Sequence, residues 1–242
     1  MTLVVTTASE LGITVVGDRA VTRSSSLGLE ILEARKVWYS KKANIALAFW
    51  GNANLPGGKS LQDWARQFTD TINRRDTVSE VCDRLADTLN LELECLGKEW
   101  WEMRRGIHVS GYENGVPVIF HVHTGDPQLF HHSLEVHRDY PDVHVGDAEE
   151  YRRRLGHSEF FQLRNGYFGL FEILAKGVFE SGDELSKLLK KPIPARSLEG
   201  QAAFDEALVR LAAGILKAAQ LPQSVSPRLD TIAFTSQGRV RI

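Results

Sequence analysis

Strand-like and helix-like segments come in blocks along this 242-residue chain rather than in regular alternation. Short apolar runs rich in β-branched residues predict strands, and apolar residues spaced three or four apart predict helices. Two strand blocks, each followed by two helical segments, favour sheets packed on each other with helices outside. We therefore expect an α+β fold with a sheet-on-sheet core, which restricts the chain to layered architectures.

Paired segments make up most of the predicted strands. The first hairpin joins residues 3–7 and 13–17. Asn114-Gly115, the strongest kind of short hairpin signal, predicts a tight turn in the middle of the chain. The predicted strands are residues 3–7, 13–17, 37–39, 43–49, 106–112, 116–122, 128–130, 143–145, 229–235 and 239–242.

Four helical segments are predicted from apolar spacing and from capping residues. Ser60 is placed to cap the first, and Thr77 with Glu80 makes a capping box for the second. The third spans residues 160–178, and the stretch 181–198 before the fourth is expected to be a surface insertion. The apolar stripes are Leu61, Trp64, Ala65, Phe68 and Ile72; Val78, Val81, Leu85 and Leu89; Phe161, Phe168, Phe171, Leu174 and Val178; and Phe204, Leu208, Leu211, Ala212 and Ile215.

Composition excludes several classes of protein. The net charge is −2, whereas nucleic-acid binders usually carry a basic face, so we expect no nucleic-acid partner. No stretch has the roughly 18 consecutive apolar residues of a membrane span, and no Lys/Arg-rich segment precedes the first strand. We expect a cytoplasmic protein without a membrane partner. Of the two cysteines, Cys82 and Cys95, the first lies on a helical apolar stripe and predicts a buried thiol rather than a disulfide.

The second residue, Thr2, directly follows Met1 at the head of the first predicted strand. If Met1 is removed, Thr2 carries a hydroxyl nucleophile and a free α-amine on one residue. An α-amine has a pKa of about 7.7–8.0, so part of it is neutral near pH 7 and can take the hydroxyl proton. The alternative is an ordinary penultimate threonine, because the position alone is a weak signal.

Three further groups follow Thr2 in an informative order. Asp18 ends the first hairpin, Lys36 follows Arg35, and Gly51 comes after an apolar strand. This order of threonine, aspartate, lysine and glycine resembles the N-terminal third of the proteasome β-subunit and HslV family of N-terminal nucleophile hydrolases. The resemblance points to a bacterial proteasome homologue.

The resemblance implies both a fold and a chemistry. The fold is a single proteasome-like domain over residues 1–242, built as a four-layer αββα sandwich. The chemistry is peptide-bond hydrolysis through a Thr2 acyl-enzyme, with Lys36 held by Asp18 and the Gly51 amide in the oxyanion hole. A homo-oligomeric ring around a peptide or unfolded-protein substrate, and an ATPase unfoldase as partner, are also implied. No cofactor is expected.

Positions in the second half of the chain match the family less closely. Asp147 stands where many members have a serine beside the α-amine, and a carboxylate there would raise the pKa of the amine. Ser224 or Ser226 can supply the supporting serine of the family, while Gln220 and Gln223 stand about where its aspartate would be. Asp147, Ser224 and Ser226 therefore join the candidate catalytic residues.

The resemblance also implies a pocket for the residue that precedes the cut. Its lining residues would be Val21, Ala34, Phe49 or Ala48, and Ala53, none of which carries a charge. Because an unpaired buried charge is expensive, we expect cleavage after apolar residues.

Histidines form a second visible cluster, with seven of the eight between His108 and His144. His121 and His123 lie two apart and would share one face of a strand, as two metal ligands can. No acidic residue or cysteine recurs at matching spacing, so we predict structural histidines and no metal.

Two alternative functions remain open on the sequence. One is a proteasome-like ring protein without catalytic activity, suggested by Asp147, by the missing C-terminal aspartate and by the uncertain fate of Met1. The other is a small-molecule amidohydrolase on the same fold, because the N-terminal chemistry would be shared. Removal of Met1 would distinguish a peptidase from the inactive ring protein. A preference for acylamino acids over peptides would indicate the amidohydrolase.

Overall fold

The computed structural model describes residues 3–25, 28–51, 55, 60–93, 105–124, 134–140, 160–166, 168–191, 197–221 and 225–242. Twelve strands and five helices are found within these ranges. The strands are β1 (Leu3–Ser9), β2 (Gly12–Asp18), β3 (Ala20–Ser25), β4 (Gly28–Glu33), β5 (Val37–Ser40), β6 (Ile45–Gly51), β7 (Arg105–Glu113), β8 (Val116–Thr124), β9 (Leu134–Tyr140), β10 (Phe160–Gly166), β11 (Leu229–Thr235) and β12 (Gly238–Val240). The helices are α1 (Leu61–Thr71), α2 (Val78–Leu93), α3 (Phe168–Glu180), α4 (Gly182–Leu189) and α5 (Leu198–Ala218).

Two antiparallel five-stranded sheets form the centre of the molecule. The first sheet has the order β10-β1-β2-β11-β12, and the second has the order β5-β6-β7-β8-β9. β3, which follows β2 after Arg19, pairs with β4 in a separate two-stranded sheet. The Asn114-Gly115 turn between β7 and β8 has positive φ at both residues, as expected for this hairpin type.

The alternation of side chains along β6 shows how the layers stack. Ala46 and Ala48 face the first sheet, in a core that also contains Val4 and Ile232. Leu47 and Phe49 face the opposite way and pack against α1 and α2. On the outer side of the first sheet, Leu3 and Val5 pack against α3 and α5. The layers are therefore helix, sheet, sheet, helix, which confirms the αββα expectation.

Local signals at the start of both N-terminal helices are confirmed. The Asp63 N–H donates to Ser60 Oγ at 3.0 Å, so Ser60 caps α1. In the capping box of α2, the Glu80 N–H donates to Thr77 Oγ1, and the Thr77 N–H donates to Glu80 Oε2. No helix in the described ranges combines the length and apolar character that crossing a membrane would require.

The prediction of a helix from residue 160 is wrong for its first seven residues. Phe160–Gly166 is strand β10, which pairs antiparallel with β1. Phe161 and Leu163 pack toward the space between the sheets, while Gln162 bonds to groups on the other face. The aromatic residues of this segment also fit a helix, but pairing with the edge of β1 makes it a strand, with side chains alternating between the two faces.

Other differences lie at segments with weaker signals. The β3–β4 pair and β9 were not predicted, and the predicted strands at 128–130 and 143–145 fall outside the described residues. The expected insertion at 181–198 contains helix α4. The predicted stripe of α5 is shifted, because Leu211 and Ile215 are 46% and 37% exposed while Val209 and Ala213 are buried.

Candidate active site

The Asp18 carboxylate ties together three separate parts of the chain. Asp18 is the last residue of β2 and is fully buried. Its Oδ1 accepts the Leu3 N–H at 2.6 Å, and its Oδ2 accepts the N–H groups of Ala20 at 2.8 Å and Ser226 at 3.1 Å. Since Leu3 is the residue after Thr2, Asp18 fixes the backbone immediately beside the candidate nucleophile.

Lys36 forms a buried ion pair with Asp18. Its Nζ lies 3.1 Å from Asp18 Oδ1 and also donates to the Ala20 carbonyl oxygen. The residue is only 5% exposed. Burial lowers the pKa of Lys36, and the Asp18 carboxylate opposes that shift. The sequence-predicted pair is thus brought together, with its cation beside the start of β1.

Asp230 is a second carboxylate at this site, and it was not among the residues predicted from the sequence. Its Oδ2 accepts the backbone N–H of Lys36 at 3.3 Å, and its Oδ1 accepts the Nε–H of Arg19 at 3.0 Å. Its negative charge also raises the pKa of Lys36, although less than Asp18 does. The pairing of β11 with β2 places Asp230 opposite Gly17, and nothing local in the sequence indicates that register.

Of the three candidates predicted in the second half of the chain, Ser226 lies among the described residues, and it is close to Asp18. Besides its N–H bond to Asp18, its Oγ accepts the N–H of Arg228 at 3.0 Å. Ser226 is 7% exposed. Thr2, Asp147 and Ser224 lie outside the described residues, and so does Ala53 of the expected pocket.

Gly51 occupies a backbone conformation that favours glycine. It is the last residue of β6, with φ of +85°, where a side chain would strain the backbone. Its partner across the strands is Arg105, the first residue of β7. The glycine predicted for the oxyanion hole therefore has a conformational reason to be glycine.

The expected pocket residues divide between surface and core. Val21 and Ala34 are partly exposed. Phe49 is 3% exposed, with its ring 5.2 Å from that of Trp38 and 6.4 Å from that of Trp64. Ala48 faces the other sheet instead. Of the two alternatives, only Phe49 lies on the side of the sheet that α1 covers.

His108 on β7 connects the two sheets, and His121 on β8 bonds within its own sheet. Thr6 Oγ1 lies 2.9 Å from His108 Nδ1, and Asn165 Oδ1 lies 2.6 Å from His108 Nε2. Burial lowers the pKa of His108 to about 4, so the ring is neutral near pH 7. Trp50 Nε1–H donates to His121 Nε2 at 3.0 Å. Within the described part of the chain, no group of three or more His, Cys, Asp or Glu side chains is arranged to hold a metal ion.

Solved structures resemble this fold over nearly the whole chain. Anbu (ancestral beta-subunit) from Yersinia bercovieri matches with a TM-score of 0.57 and 13% identity, covering 99% of this chain and 86% of that one. An Anbu (Gly-1) mutant from Hyphomicrobium sp. strain MC1 matches with a TM-score of 0.53 and 12% identity, covering 100% and 86%. The fold is proteasome-like. At this identity the likeness shows the fold alone, and neither a family model nor a curated protein matches the chain.

Within this proteasome-like fold, the Asp18–Lys36 pair presents a positive charge next to the first residues of β1. A cation in a dry site stabilises a nearby oxygen that becomes negative far better than it would in water. The arrangement is suited to activating a hydroxyl group close to Leu3.

Proposed function

We propose that this chain is an N-terminal threonine peptidase that cuts peptide bonds inside a ring of its own copies. The observation that carries the proposal is the Asp18 carboxylate. Its Oδ1 accepts hydrogen bonds from both the Leu3 N–H and the Lys36 Nζ. One buried group thereby holds the backbone beside Thr2 and the cation that would act on the Thr2 hydroxyl.

The proposed reaction begins after removal of Met1. The Thr2 α-amine takes the hydroxyl proton as Thr2 Oγ attacks the scissile carbonyl carbon, and the oxyanion is stabilised by the Gly51 amide. The amine then returns the proton to the leaving nitrogen, the carbon–nitrogen bond breaks, and an ester to Thr2 remains. Water, deprotonated by the same amine, hydrolyses the ester and regenerates the threonine. The chemistry uses no cofactor.

The remaining site residues are proposed in supporting roles. Ser226 and Ser224 would support Thr2 from the C-terminal half, and Asp147 would lie near the amine and raise its pKa. Val21, Ala34, Phe49 and Ala53 would line the pocket for the residue before the cut.

Enclosure in a ring follows from the need to control such an activity. An exposed peptidase would cut the folded and nascent proteins around it, whereas closed symmetry lets one chain build a chamber. The Yersinia neighbour is named as a beta-subunit, which is the name of a component of an assembly. An ATPase that unfolds substrates is the matching partner, and the cytoplasm is the matching location.

Mass spectrometry of the purified full-length protein tests the proposal. We expect the intact mass to lack Met1, and a peptide electrophile directed at N-terminal threonine to add one adduct on Thr2. Thr2→Ala should show neither adduct nor peptide hydrolysis while keeping its thermal unfolding midpoint, with Thr22→Ala as the matched threonine control. A protein that retains Met1 and takes up no electrophile would support the inactive ring protein. Turnover of acylamino acids but not of peptides would support the amidohydrolase.

A further inference from the structure

Arg105 is a buried cation directly across the strands from Gly51. The β6–β7 register pairs Gly51 with Arg105 at the end of the ladder. Residues paired in this way have Cα atoms about 4.5–5.5 Å apart. The pocket expected from the resemblance consists of Val21, Ala34, Phe49 or Ala48, and Ala53, so Arg105 was not among the predicted residues.

The side of the sheet on which Arg105 lies follows from strand alternation. Ile107 and Val109, two and four residues further along β7, both face α1 and α2. Arg105 therefore shares that face, as does Phe49, which is the cross-strand partner of Ile107. The other charged residue on this face of β7 is Glu113, about 25 Å away along the strand, where it accepts the Ser79 N–H.

The guanidinium of Arg105 stays charged in a nearly dry environment. The residue is 5% exposed. Burial lowers its pKa to about 10, which still leaves the positive charge in place at pH 7. A guanidinium has five N–H donors in a planar fork, so it can bind a carboxylate with two parallel hydrogen bonds in addition to its contacts within the protein.

We infer that Arg105 binds the side-chain carboxylate of the substrate residue before the cut, so that the enzyme favours cleavage after glutamate or aspartate. The inference rests on the proposed function. Suppose that the carbonyl oxygen of the substrate residue before the cut accepts the Gly51 N–H. The Cβ of that same residue is then two bonds from the carbonyl carbon. On the face shared with Phe49, the side chain of that residue lies on the same side of the sheet as the Arg105 guanidinium, across the strands from Gly51.

A panel of peptides that differ only in the residue before the cut tests the inference on the full-length protein. Glutamate, glutamine, leucine and lysine peptides are compared by kcat/KM. We expect the glutamate peptide to exceed the glutamine peptide by at least about 10-fold, since glutamine has the same shape without the charge. In Arg105→Met the ratio should fall to about one, while the leucine peptide is still cut. Arg164→Met, which removes a half-buried arginine on β10, should keep the wild-type ratio.

The outcomes separate this inference from the proposed function. Equal or faster cleavage of the glutamine or leucine peptide by the wild type would overturn the role of Arg105 and leave the peptidase intact. If no electrophile, acidic or apolar, modifies Thr2 in the same preparation, both proposals fall. Should Arg105→Met not fold, the wild-type ratio of glutamate to glutamine decides alone.

Discussion

At the scale of single residues, the site depends on charges that are buried with their partners. Removing either member of the Asp18–Lys36 pair would leave the other charged and unpaired, and breaking a buried pair in this way typically costs about 3–5 kcal/mol. Stability and activity would then change together. Asp230 offers a cleaner test, because it contacts the backbone N–H of Lys36 rather than its Nζ, and because its own charge is paired with Arg19.

We expect Asp230→Asn to shift the alkaline limb of activity to lower pH. The carboxylate of Asp230 raises the pKa of Lys36, so its loss lowers that pKa, and Lys36 becomes neutral at a lower pH. Asparagine keeps an oxygen that can accept the Lys36 N–H. The measurement is the pH profile of kcat/KM, with Glu33→Gln as the control for removing an exposed carboxylate. An unchanged alkaline limb would show that Asp230 does not influence Lys36.

Three of the candidate site residues that the sequence predicted lie close to one another in the chain, whereas those that depend on strand register were not predicted. Asp18, Lys36 and Gly51 were predicted from the resemblance to a known family, and each lies at or next to the end of a predicted strand. Asp230 and Arg105 come from chain segments far from their neighbours, and they arrive through the β2–β11 and β6–β7 pairings. A one-residue change of either register would turn these side chains to the opposite face.

At the scale of elements, α5 is joined to the first sheet by a buried polar cluster around Asp205. Asp205 Oδ2 accepts the hydroxyls of Thr7 at 2.8 Å and Thr14 at 2.9 Å, and its Oδ1 accepts Gln162 Nε2–H at 2.8 Å. These bonds link β1, β2 and β10 to one helix. Burial nevertheless raises the pKa of Asp205 to about 6, against the effect of the hydrogen bonds.

We expect the stability contribution of Asp205 to fall as the pH rises toward 6. The unfolded chain gives up this proton near 3.8, so between 3.8 and about 6 the folded protein holds more protons and loses stability as the pH increases. The difference between the folded and unfolded pKa of Asp205 corresponds to a change in the free energy of unfolding on the order of 3 kcal/mol. Urea unfolding at pH 4 and pH 7 should show the wild type losing this amount relative to Asp205→Asn. His108, whose pKa is lowered, contributes in the opposite direction and cancels in the comparison. A difference that is constant with pH would contradict the expectation.

Elements were predicted well where a capping signal or a turn signal stood at their ends. The starts of α1 and α2 and the β7–β8 turn are examples. β10 was missed because its partner β1 lies more than 150 residues earlier, at separations such as the 155 between Gln162 and Thr7. Local periodicity contains no information about such a partner.

At the scale of the whole molecule, the outer helices expose large apolar side chains. Ile173 on α3 and Leu188 and Leu189 on α4 are 70%, 78% and 56% exposed. We expect the full-length protein to sediment as a closed oligomer at micromolar concentration, with part of this surface covered. Leu188→Asp should shift the distribution toward smaller species, whereas Val116→Asp, at the β7–β8 turn, should not. A wild-type protein that sediments only as a monomer would contradict the ring.

The four donors to Asp18, which come from Leu3, Ala20, Lys36 and Ser226, also set the order in which the site can be completed during synthesis. Ser226 is translated 208 residues after Asp18. A ribosome-bound chain can form the first hairpin and place Lys36 beside Asp18, but Oδ2 still lacks the Ser226 N–H. The carboxylate reaches its full set of bonds only when β2 and the segment leading into β11 have met. Under the proposed function, cutting ability therefore arises late, after most of the subunit has been made.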